Sequence, residues 1–261
     1  MKVACLQMDV LPSQPEANFP HAAELIRQAM ADRPDVIVLP ESWDISFLPR
    51  NAEPSLYEGS YTRAVREIGG LAKELQVNIV AGSVSNYRDG KLFNTCCVFD
   101  RQGALVATYD KTHLFSHAGE DKRYEKGQSL CNFTLDGIPC GAIICYDLRF
   151  PEITRTMCLE GMDLLFVVCQ WPRPRTGLMR SLAIARAIEN QMFVVCCDAC
   201  GTAGDRVCGG DSLIVDPLGA VLASGDETEQ IITADCSFDR LQTIRNSIPV
   251  FRDRRPDLYR Q

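Results

Sequence analysis

Residues 142–152 read AIICYDLRFPE and combine the signals of a strand, a turn and the start of a helix. The apolar run Ala142–Ile144 is typical of a buried strand, and Pro151 suits the first position of a helix. Cys145 therefore lies at the carboxyl end of a predicted strand, where α/β folds place their reactive groups. The stretch predicts a strand–turn–helix unit with a thiol at the turn.

The same alternation of strands and helices extends in both directions from this unit. The predicted strands cover residues 2–9, 36–39, 77–83, 131–135, 140–145, 163–169, 192–198 and 230–235. The predicted helices cover residues 17–31, 61–76 and 177–190, and hairpins are expected at residues 92–109 and 212–223. Because no linker or repeat interrupts this rhythm, we interpret residues 1–261 as one α/β domain with helices outside its sheets. Periodicity leaves open whether there is one sheet or two.

Composition and charge restrict the class of protein. The 261 residues include 27 Lys+Arg and 34 Asp+Glu, and the net charge of −7 disfavours nucleic acid or an anionic membrane as the partner. The sequence has no apolar run long enough for a membrane helix, and MKVACLQMDV lacks the features of a signal peptide. Thirteen cysteines without an export signal are expected to be mostly reduced, buried thiols of a cytoplasmic protein.

Cys145 is the candidate nucleophile among these cysteines. A free cysteine is most often a small buried hydrophobe, but backbone N–H groups at a strand-to-helix turn can also face a developing oxyanion. The histidines His21, His113 and His117 all precede Cys145, which excludes the papain-like order of cysteine and histidine. The base for this thiol has to be sought among the carboxylates.

Two charged residues also follow predicted strands. Glu41 comes after the apolar run 36–39, and Lys111 ends a hairpin strand. An ammonium about 4 Å from a thiolate is expected to lower the thiol pKa by about one or two units, after desolvation and the opposing charge of Glu41 have reduced its effect. A carboxylate can take the thiol proton and return it to a leaving amine. Glu41, Lys111 and Cys145 therefore predict a thiol-hydrolase site, provided that the fold brings them together.

The sequence resembles the nitrilase superfamily of carbon–nitrogen hydrolases through an ordered set of motifs. These motifs are Leu39-Pro40-Glu41, Tyr109 to Phe115, Cys145 to Glu152, Ala185 to Gln191, Gly210-Asp211-Ser212 and Asp216 to Gly219. The resemblance implies a four-layer α-β-β-α sandwich with two mixed sheets. It also implies a homodimer or larger homo-oligomer, a small-molecule amide substrate, and chemistry without a metal or cofactor.

The resemblance also implies a role for each site residue. Glu41 is the general base, Lys111 stabilises the tetrahedral intermediate, and Cys145 forms the thioester acyl-enzyme. The backbone N–H of Tyr146 is the second oxyanion donor. A second active-site glutamate is expected in the polar loop from Thr112 to Ser129, with Glu120 as the first choice and Glu125 as the alternative.

Within the superfamily, the sequence is most similar to the omega-amidases, which hydrolyse the terminal amide of 2-oxoglutaramate and 2-oxosuccinamate. Trp171 offers an aromatic wall, and Arg175 or Arg173 offers a guanidinium for a substrate carboxylate. The segments 198–201 and 179–181 depart from that branch, so another superfamily activity stays open. The alternatives are hydrolysis of an N-carbamoyl amide or of deaminated glutathione.

A second class of function is suggested by Cys197 and Cys200, which form a CxxC pair. Such a pair can hold zinc or act as a redox couple. However, a structural zinc site normally needs two such pairs or histidines at ligand spacing. The pair also follows a predicted strand instead of opening a helix, which disfavours a thioredoxin-like motif.

Overall fold

The computed structural model describes residues 1–49, 56–57, 59–203 and 206–259. Its strands form two six-stranded sheets and a small two-stranded ribbon. The first sheet has the order β14-β1-β2-β3-β4-β5, in which β1, β2 and β3 are parallel and the other neighbours antiparallel. Its strands are β1 (Lys2–Gln7), β2 (Val36–Val38), β3 (Asn78–Arg88), β4 (Lys91–Phe99), β5 (Leu105–Asp110) and β14 (Gln230–Asp235).

The second sheet has the order β13-β12-β9-β8-β7-β6, with β7, β8 and β9 parallel. Its strands are β6 (Asn132–Leu135), β7 (Ile138–Ile144), β8 (Leu164–Cys169), β9 (Phe193–Asp198), β12 (Leu213–Val215) and β13 (Val221–Ser224). The ribbon pairs β10 (Thr202–Ala203) with β11 (Arg206–Val207). The α-helices are α1 (Pro15–Ala29), α2 (Ser60–Leu75), α3 (Pro151–Leu159), α4 (Thr176–Asn190) and α5 (Leu241–Ser247).

The sequence of β1 shows why the layers stack as they do. Successive side chains of a strand point to opposite faces of the sheet. Val3 and Cys5 belong to the core shared with the second sheet, whereas Ala4 and Leu6 pack in the core formed with α1 and α2. Helices α3 and α4 cover the second sheet through residues such as Met157. This architecture confirms the predicted four-layer α-β-β-α sandwich with two mixed sheets.

The structure differs from the sequence prediction in several elements, among them the unpredicted ribbon of β10 and β11. The predicted strand 77–83 continues to Arg88 and pairs with β4 through a tight turn at Asp89-Gly90, where both residues have a positive φ. Aspartate and glycine tolerate that conformation, which a hairpin turn of this length requires. Helix α5 was not predicted because seven residues with one buried side chain, Leu241, give almost no periodic signal. In the part of the chain that the structure describes, no helix has the length and apolarity to cross a membrane.

The two sheets meet where the carboxyl ends of β2 and β8 lie together. The backbone N–H of Glu41, three residues beyond β2, donates a 3.1 Å hydrogen bond to the carbonyl of Cys169, the last residue of β8. Strand β7, which ends immediately before Cys145, is the neighbour of β8. Side chains from both sheets therefore converge on one edge of the sandwich.

Candidate active site

Lys111 lies between two carboxylates in the interior of the protein. Its Nζ atom is 2.8 Å from Oε1 of Glu41 and 3.0 Å from Oε2 of Glu120, and all three side chains are fully buried. Glu41 follows β2, Lys111 follows β5, and Glu120 opens a short 3₁₀ turn in the loop beyond it. The fold thus brings together an ammonium and two acids that are up to 79 positions apart in the sequence.

Cys145 begins the 3₁₀ turn Cys145–Arg149 with a φ of +47°, a value that residues other than glycine seldom adopt. Asp147 stabilises this turn from within, because its Oδ2 accepts the backbone N–H of Ile144 at 3.0 Å. The thiol of Cys145 is close enough to Glu41 and to Lys111 to interact electrostatically with both. The three residues singled out from the sequence, Glu41, Lys111 and Cys145, therefore lie together.

Burial controls the protonation of this cluster. Burial raises the pKa of the Cys145 thiol well above its usual value, with the neighbouring Cys169 and the negative Glu41 adding to the effect. Lys111 opposes the increase but does not overcome it. Lys111 lowers the pKa of the thiol as expected, but the expected net decrease is wrong, because desolvation of the buried thiolate outweighs one ammonium that is already shared by two acids.

The pKa values of Glu41 and Lys111 are both raised, which suits a proton acceptor beside a permanently charged ammonium. Burial raises the pKa of Glu41 above its usual value, and Lys111 limits that increase. Burial alone would lower the pKa of Lys111, but Glu41 and Glu120 more than offset it, so the pKa of Lys111 is raised and the ammonium stays charged. The thiol of Cys145 is thus protonated before reaction, and Glu41 is the neighbouring acid that can receive its proton.

The two loop glutamates occupy different environments. Besides contacting Lys111, Glu120 accepts the backbone N–H of Phe115 through Oε2 at 2.6 Å, which ties the loop to the cluster. Glu125, the alternative, lies on the surface about half exposed, with its carboxylate 3.9 Å from Nζ of Lys91. The structure therefore places Glu120, and not Glu125, beside Glu41.

A cavity of about 480 Å³ opens beside the thiol. Cys145, Tyr146, Trp171 and Arg175 all line this cavity, as expected from the sequence. Arg173 does not line it, because its guanidinium forms an ion pair with Glu227 on the surface. The two arginines belong to the same 3₁₀ turn but face different surroundings.

Two further guanidiniums line the cavity and were not singled out from the sequence. Arg149 stacks on Trp171 with its Cζ atom 4.9 Å from the ring centroid, and Arg206 stacks on Phe47 at 5.7 Å. Arg175 makes a similar contact with Phe115 at 5.6 Å. Arg149 lies within the motif around Cys145, which is a usable signal, whereas nothing around Arg206 in the sequence marks it.

The wall behind Trp171 is held by a buried acid, Asp198, the last residue of β9. Its Oδ1 accepts the backbone N–H groups of Trp171 at 2.8 Å and Ala199 at 3.0 Å. Burial raises the pKa of Asp198 well above its usual value, and the charge of Glu41 adds to this increase. Residues 198–201, which differ from the omega-amidase pattern, thus begin with the acid that holds the backbone of Trp171 in the cavity wall.

The thiols of the CxxC pair, Cys197 and Cys200, form hydrogen bonds with backbone carbonyl groups. Cys197 donates to the carbonyls of Leu6 and Val38 at 3.4 and 3.2 Å, and Cys200 donates to the carbonyl of Gln7 at 3.6 Å. Both thiols are buried and unbridged. Within the described ranges, no group of three or more His, Cys, Asp or Glu residues could hold a metal ion. These contacts give the pair a packing role between β9 and the first sheet.

The fold and the clustered acids, ammonium and thiol are those of a hydrolase. A sequence profile of the carbon–nitrogen hydrolase family matches residues 2–246. The chain is 38% identical to the 2-oxoglutaramate amidase of Bacillus subtilis over 98% of both chains. It is 32% identical to the omega-amidase NIT2 of Homo sapiens over 99% of this chain and 96% of that protein.

The solved structures give the same assignment. Nit3 of Saccharomyces cerevisiae, described as a member of branch 10 of the nitrilase superfamily, superposes with a TM-score of 0.86 at 25% identity, over 99% of this chain and 97% of its own. The chain belongs to the carbon–nitrogen hydrolase family of the nitrilase superfamily.

Proposed function

We propose that this carbon–nitrogen hydrolase cleaves the terminal amide of a short dicarboxylic acid monoamide, with 2-oxoglutaramate as the leading substrate. The observation that supports this most is the cavity, which contacts the thiol of Cys145 and is also lined by the guanidinium of Arg175. The relatives named 2-oxoglutaramate amidase and omega-amidase favour the same class of substrate.

In the first half-reaction, the sulfur of Cys145 attacks the amide carbonyl carbon while Glu41 accepts the thiol proton. The negative charge moves to the carbonyl oxygen, where the ammonium of Lys111 and the backbone N–H of Tyr146 stabilise it. The carbon–nitrogen bond then breaks, the proton on Glu41 passes to the leaving nitrogen, and ammonia departs. The acyl group remains on Cys145 as a thioester.

In the second half-reaction, Glu41 accepts a proton from water as its oxygen attacks the thioester carbonyl. Collapse of the second tetrahedral intermediate breaks the carbon–sulfur bond, releases the carboxylic acid and returns the proton to the sulfur of Cys145. Glu120 holds the ammonium of Lys111 in place during both steps, since its carboxylate contacts Nζ and is itself fixed by the backbone N–H of Phe115.

The cavity favours a substrate that carries a carboxylate at the end away from the reacting amide. Guanidinium groups bind carboxylates with paired hydrogen bonds, and Arg175 presents one in the cavity wall at the turn before α4. Trp171 and Tyr146 provide flat surfaces for a short carbon chain. Arg149 and Arg206 add positive charge to the same cavity.

The proposal is tested by incubating the purified protein with 2-oxoglutaramate, glutaramate and the uncharged pentanamide, and measuring the ammonia that is released. We expect turnover to fall in that order, and rapid acid quenching followed by intact-mass spectrometry to show the acyl group on the protein. Cys145→Ala should fold, release no ammonia and gain no mass. Equal turnover of all three amides would contradict the substrate class, and full activity of Cys145→Ala would contradict the mechanism.

We further propose that residues 1–261 act as one domain and assemble as a homo-oligomer in the cytoplasm. Leu178 and Ile188 support the assembly, since these two large apolar side chains of α4 are about half exposed. The free state of all thirteen cysteines supports a reducing compartment. Light scattering on the purified protein tests the assembly directly, and a monomeric mass would contradict it.

A further inference from the structure

Asn94 is a neutral side chain that bridges the two acids of the cluster. It lies in the middle of β4, is buried, and donates through Nδ2 to Oε1 of Glu41 at 2.9 Å and to Oε1 of Glu120 at 3.3 Å. Its backbone carbonyl accepts the N–H of Lys111 at 2.9 Å. A single residue therefore contacts both acids and the backbone of the residue between them.

The orientation of the Asn94 amide follows from its neighbours. A carboxylate only accepts hydrogen bonds when ionised, so the NH₂ group of the amide has to face both acids. Its two N–H bonds match the two acceptors, while the carbonyl Oδ1 is buried and has no partner among the residues that the structure describes. A buried polar atom without a partner is costly, and the orientation of the amide is thus set by the acids.

Charge explains why an amide suits this position. Two carboxylates that share one ammonium leave one negative charge in excess, and like charges in a buried site repel each other. An amide stabilises both carboxylates through hydrogen bonds without adding charge. A lysine or arginine here would neutralise the base, and an aspartate would add a third negative charge.

The contacts also distinguish the two oxygens of Glu41. Oε1 accepts hydrogen bonds from both Lys111 and Asn94, whereas Oε2 is buried and has no hydrogen-bond partner in the described part of the protein. The thiol of Cys145 interacts electrostatically with this carboxylate. We propose that Asn94 is a positioning residue that holds Glu41 by its Oε1 and leaves Oε2 to accept the proton of the Cys145 thiol.

The groups that face Glu41 define how its titration responds to Asn94. Lys111 lowers the pKa of Glu41, and Glu120 raises it. Asp198 and Cys208 interact with Glu41 electrostatically from the ends of neighbouring segments, and Cys145 is a protonated thiol in the resting state. Since these groups stay in place when Asn94 is changed, loss of its hydrogen bond should raise the pKa of Glu41.

The inference rests on the proposed function, but it has a measurement that needs no substrate. The rate at which iodoacetamide alkylates Cys145 is followed against pH by peptide mass spectrometry, with Cys145→Ala giving the background of the other thiols. Asn94→Leu keeps the size of the side chain and removes the donor. Asn94→Asp keeps the shape and adds a charge.

We expect the acid limb of the alkylation profile to move upward by about one pH unit in Asn94→Leu and further in Asn94→Asp. In the amidase assay, kcat should fall at least about tenfold with little change in KM, and Asn94→Gln, which keeps the donors, should recover part of the loss. Asn78→Asp is the matched control, because Asn78 is an equally buried asparagine whose Nδ2 donates to Asp136 away from the cluster.

The outcomes separate the two proposals. If the wild-type protein releases no ammonia from any amide but the alkylation limb still moves in the Asn94 variants, the substrate assignment fails and the positioning role stands. An acid limb that stays in place in both Asn94→Leu and Asn94→Asp, while their melting temperatures fall like that of Asn78→Asp, would reduce Asn94 to a structural residue and overturn the inference.

Discussion

The backbone N–H of Ile144 donates a 3.0 Å hydrogen bond to Oδ2 of Asp147. The side chain of Asp147, two residues after Cys145, thereby fixes the end of β7, which directly precedes Cys145. The same oxygen accepts the hydroxyl of Tyr109 at 2.7 Å, and Oδ1 accepts the backbone N–H of His113 at 2.9 Å. Tyr109 and His113 flank Lys111 by two residues on each side. Asp147 therefore connects the turn of the thiol to the segment that contains the ammonium.

This connection predicts a large effect of Asp147→Asn. The amide has the same shape but replaces one acceptor oxygen with an NH₂ group, which then faces the backbone N–H of either Ile144 or His113, a donor that cannot rotate away. We expect the free energy of unfolding to fall by about 2–3 kcal/mol and kcat to fall at least about tenfold, as measured by urea unfolding and ammonia release. Asp121→Asn, on the exposed part of the loop, should change neither quantity, and wild-type behaviour of Asp147→Asn would show that the connection is dispensable.

Glu120→Gln is expected to move the pH profile in the direction opposite to the Asn94 variants. The charge of Glu120 raises the pKa of Glu41, so removing that charge should lower the pKa and shift the acid limb of kcat/KM to lower pH. The ammonium of Lys111 also loses one of its two anionic contacts, and kcat should fall at least about tenfold. The profile of kcat/KM against pH measures both effects.

Glu125→Gln provides the control for that variant, because Glu125 lies on the same loop but contacts only the exposed Lys91 among the charged residues described. We expect its kcat and its pH profile to match those of the wild type. An effect of Glu125→Gln as large as that of Glu120→Gln would mean that the loop as a whole, and not the buried carboxylate, determines activity.

Arg175→Met and Arg173→Met test recognition of the substrate carboxylate. Arg175 lines the cavity, whereas Arg173 pairs with Glu227 on the surface. For 2-oxoglutaramate, loss of a charge-assisted contact should raise KM about tenfold or more in Arg175→Met, with little change for pentanamide. Arg173→Met should leave both values near wild type. Equal increases in KM for the charged and the neutral amide would exclude Arg175 as the carboxylate contact.

The sequence could predict the cluster because its members follow apolar runs. Glu41, Lys111 and Cys145 each follow a strand by one to three residues, which marked them as candidates. Their meeting depends on the stacking of the two sheets, since Glu41 and Lys111 follow strands of the first sheet and Cys145 follows a strand of the second. The two-sheet architecture came from the family resemblance, since the alternation seen in β1 is the same whether the second layer is a sheet or a helix.

Other features depend on contacts that no local pattern shows. Asn94 is a polar residue within a predicted strand, and only the pairing of β4 with β5 places it beside Lys111. Arg173 and Arg175 are two positions apart in one turn, so spacing alone could not show which one faces the cavity. The net pKa shift of Cys145 was predicted in the wrong direction because the sequence does not show how completely packing buries the thiol, and the desolvation penalty was taken as smaller than the stabilisation by Lys111.

Asp44 offers a test of stability against pH away from the thiol. It is fully buried, its Oδ2 accepts the backbone N–H of Ser85 at 3.0 Å, and its Oδ1 has no partner in the described residues. Burial raises the pKa of Asp44 from 3.8 to about 6. The folded protein therefore holds this proton more tightly than the unfolded chain does, and stability should fall as the pH rises from about 4 to about 6.

Asp44→Asn removes this titration, because the amide stays neutral at every pH and keeps an oxygen for the N–H of Ser85. A difference of about two pKa units corresponds to at most about 3 kcal/mol, so the variant should gain stability relative to wild type at about pH 7.5 and gain little at about pH 4. Urea unfolding at the two pH values measures this difference, with the exposed Asp239→Asn as the control. A gain of the same size at both pH values would mean that the carboxyl group of Asp44 is not protonated on folding, and the stability of the fold would then have to depend on pH through other groups.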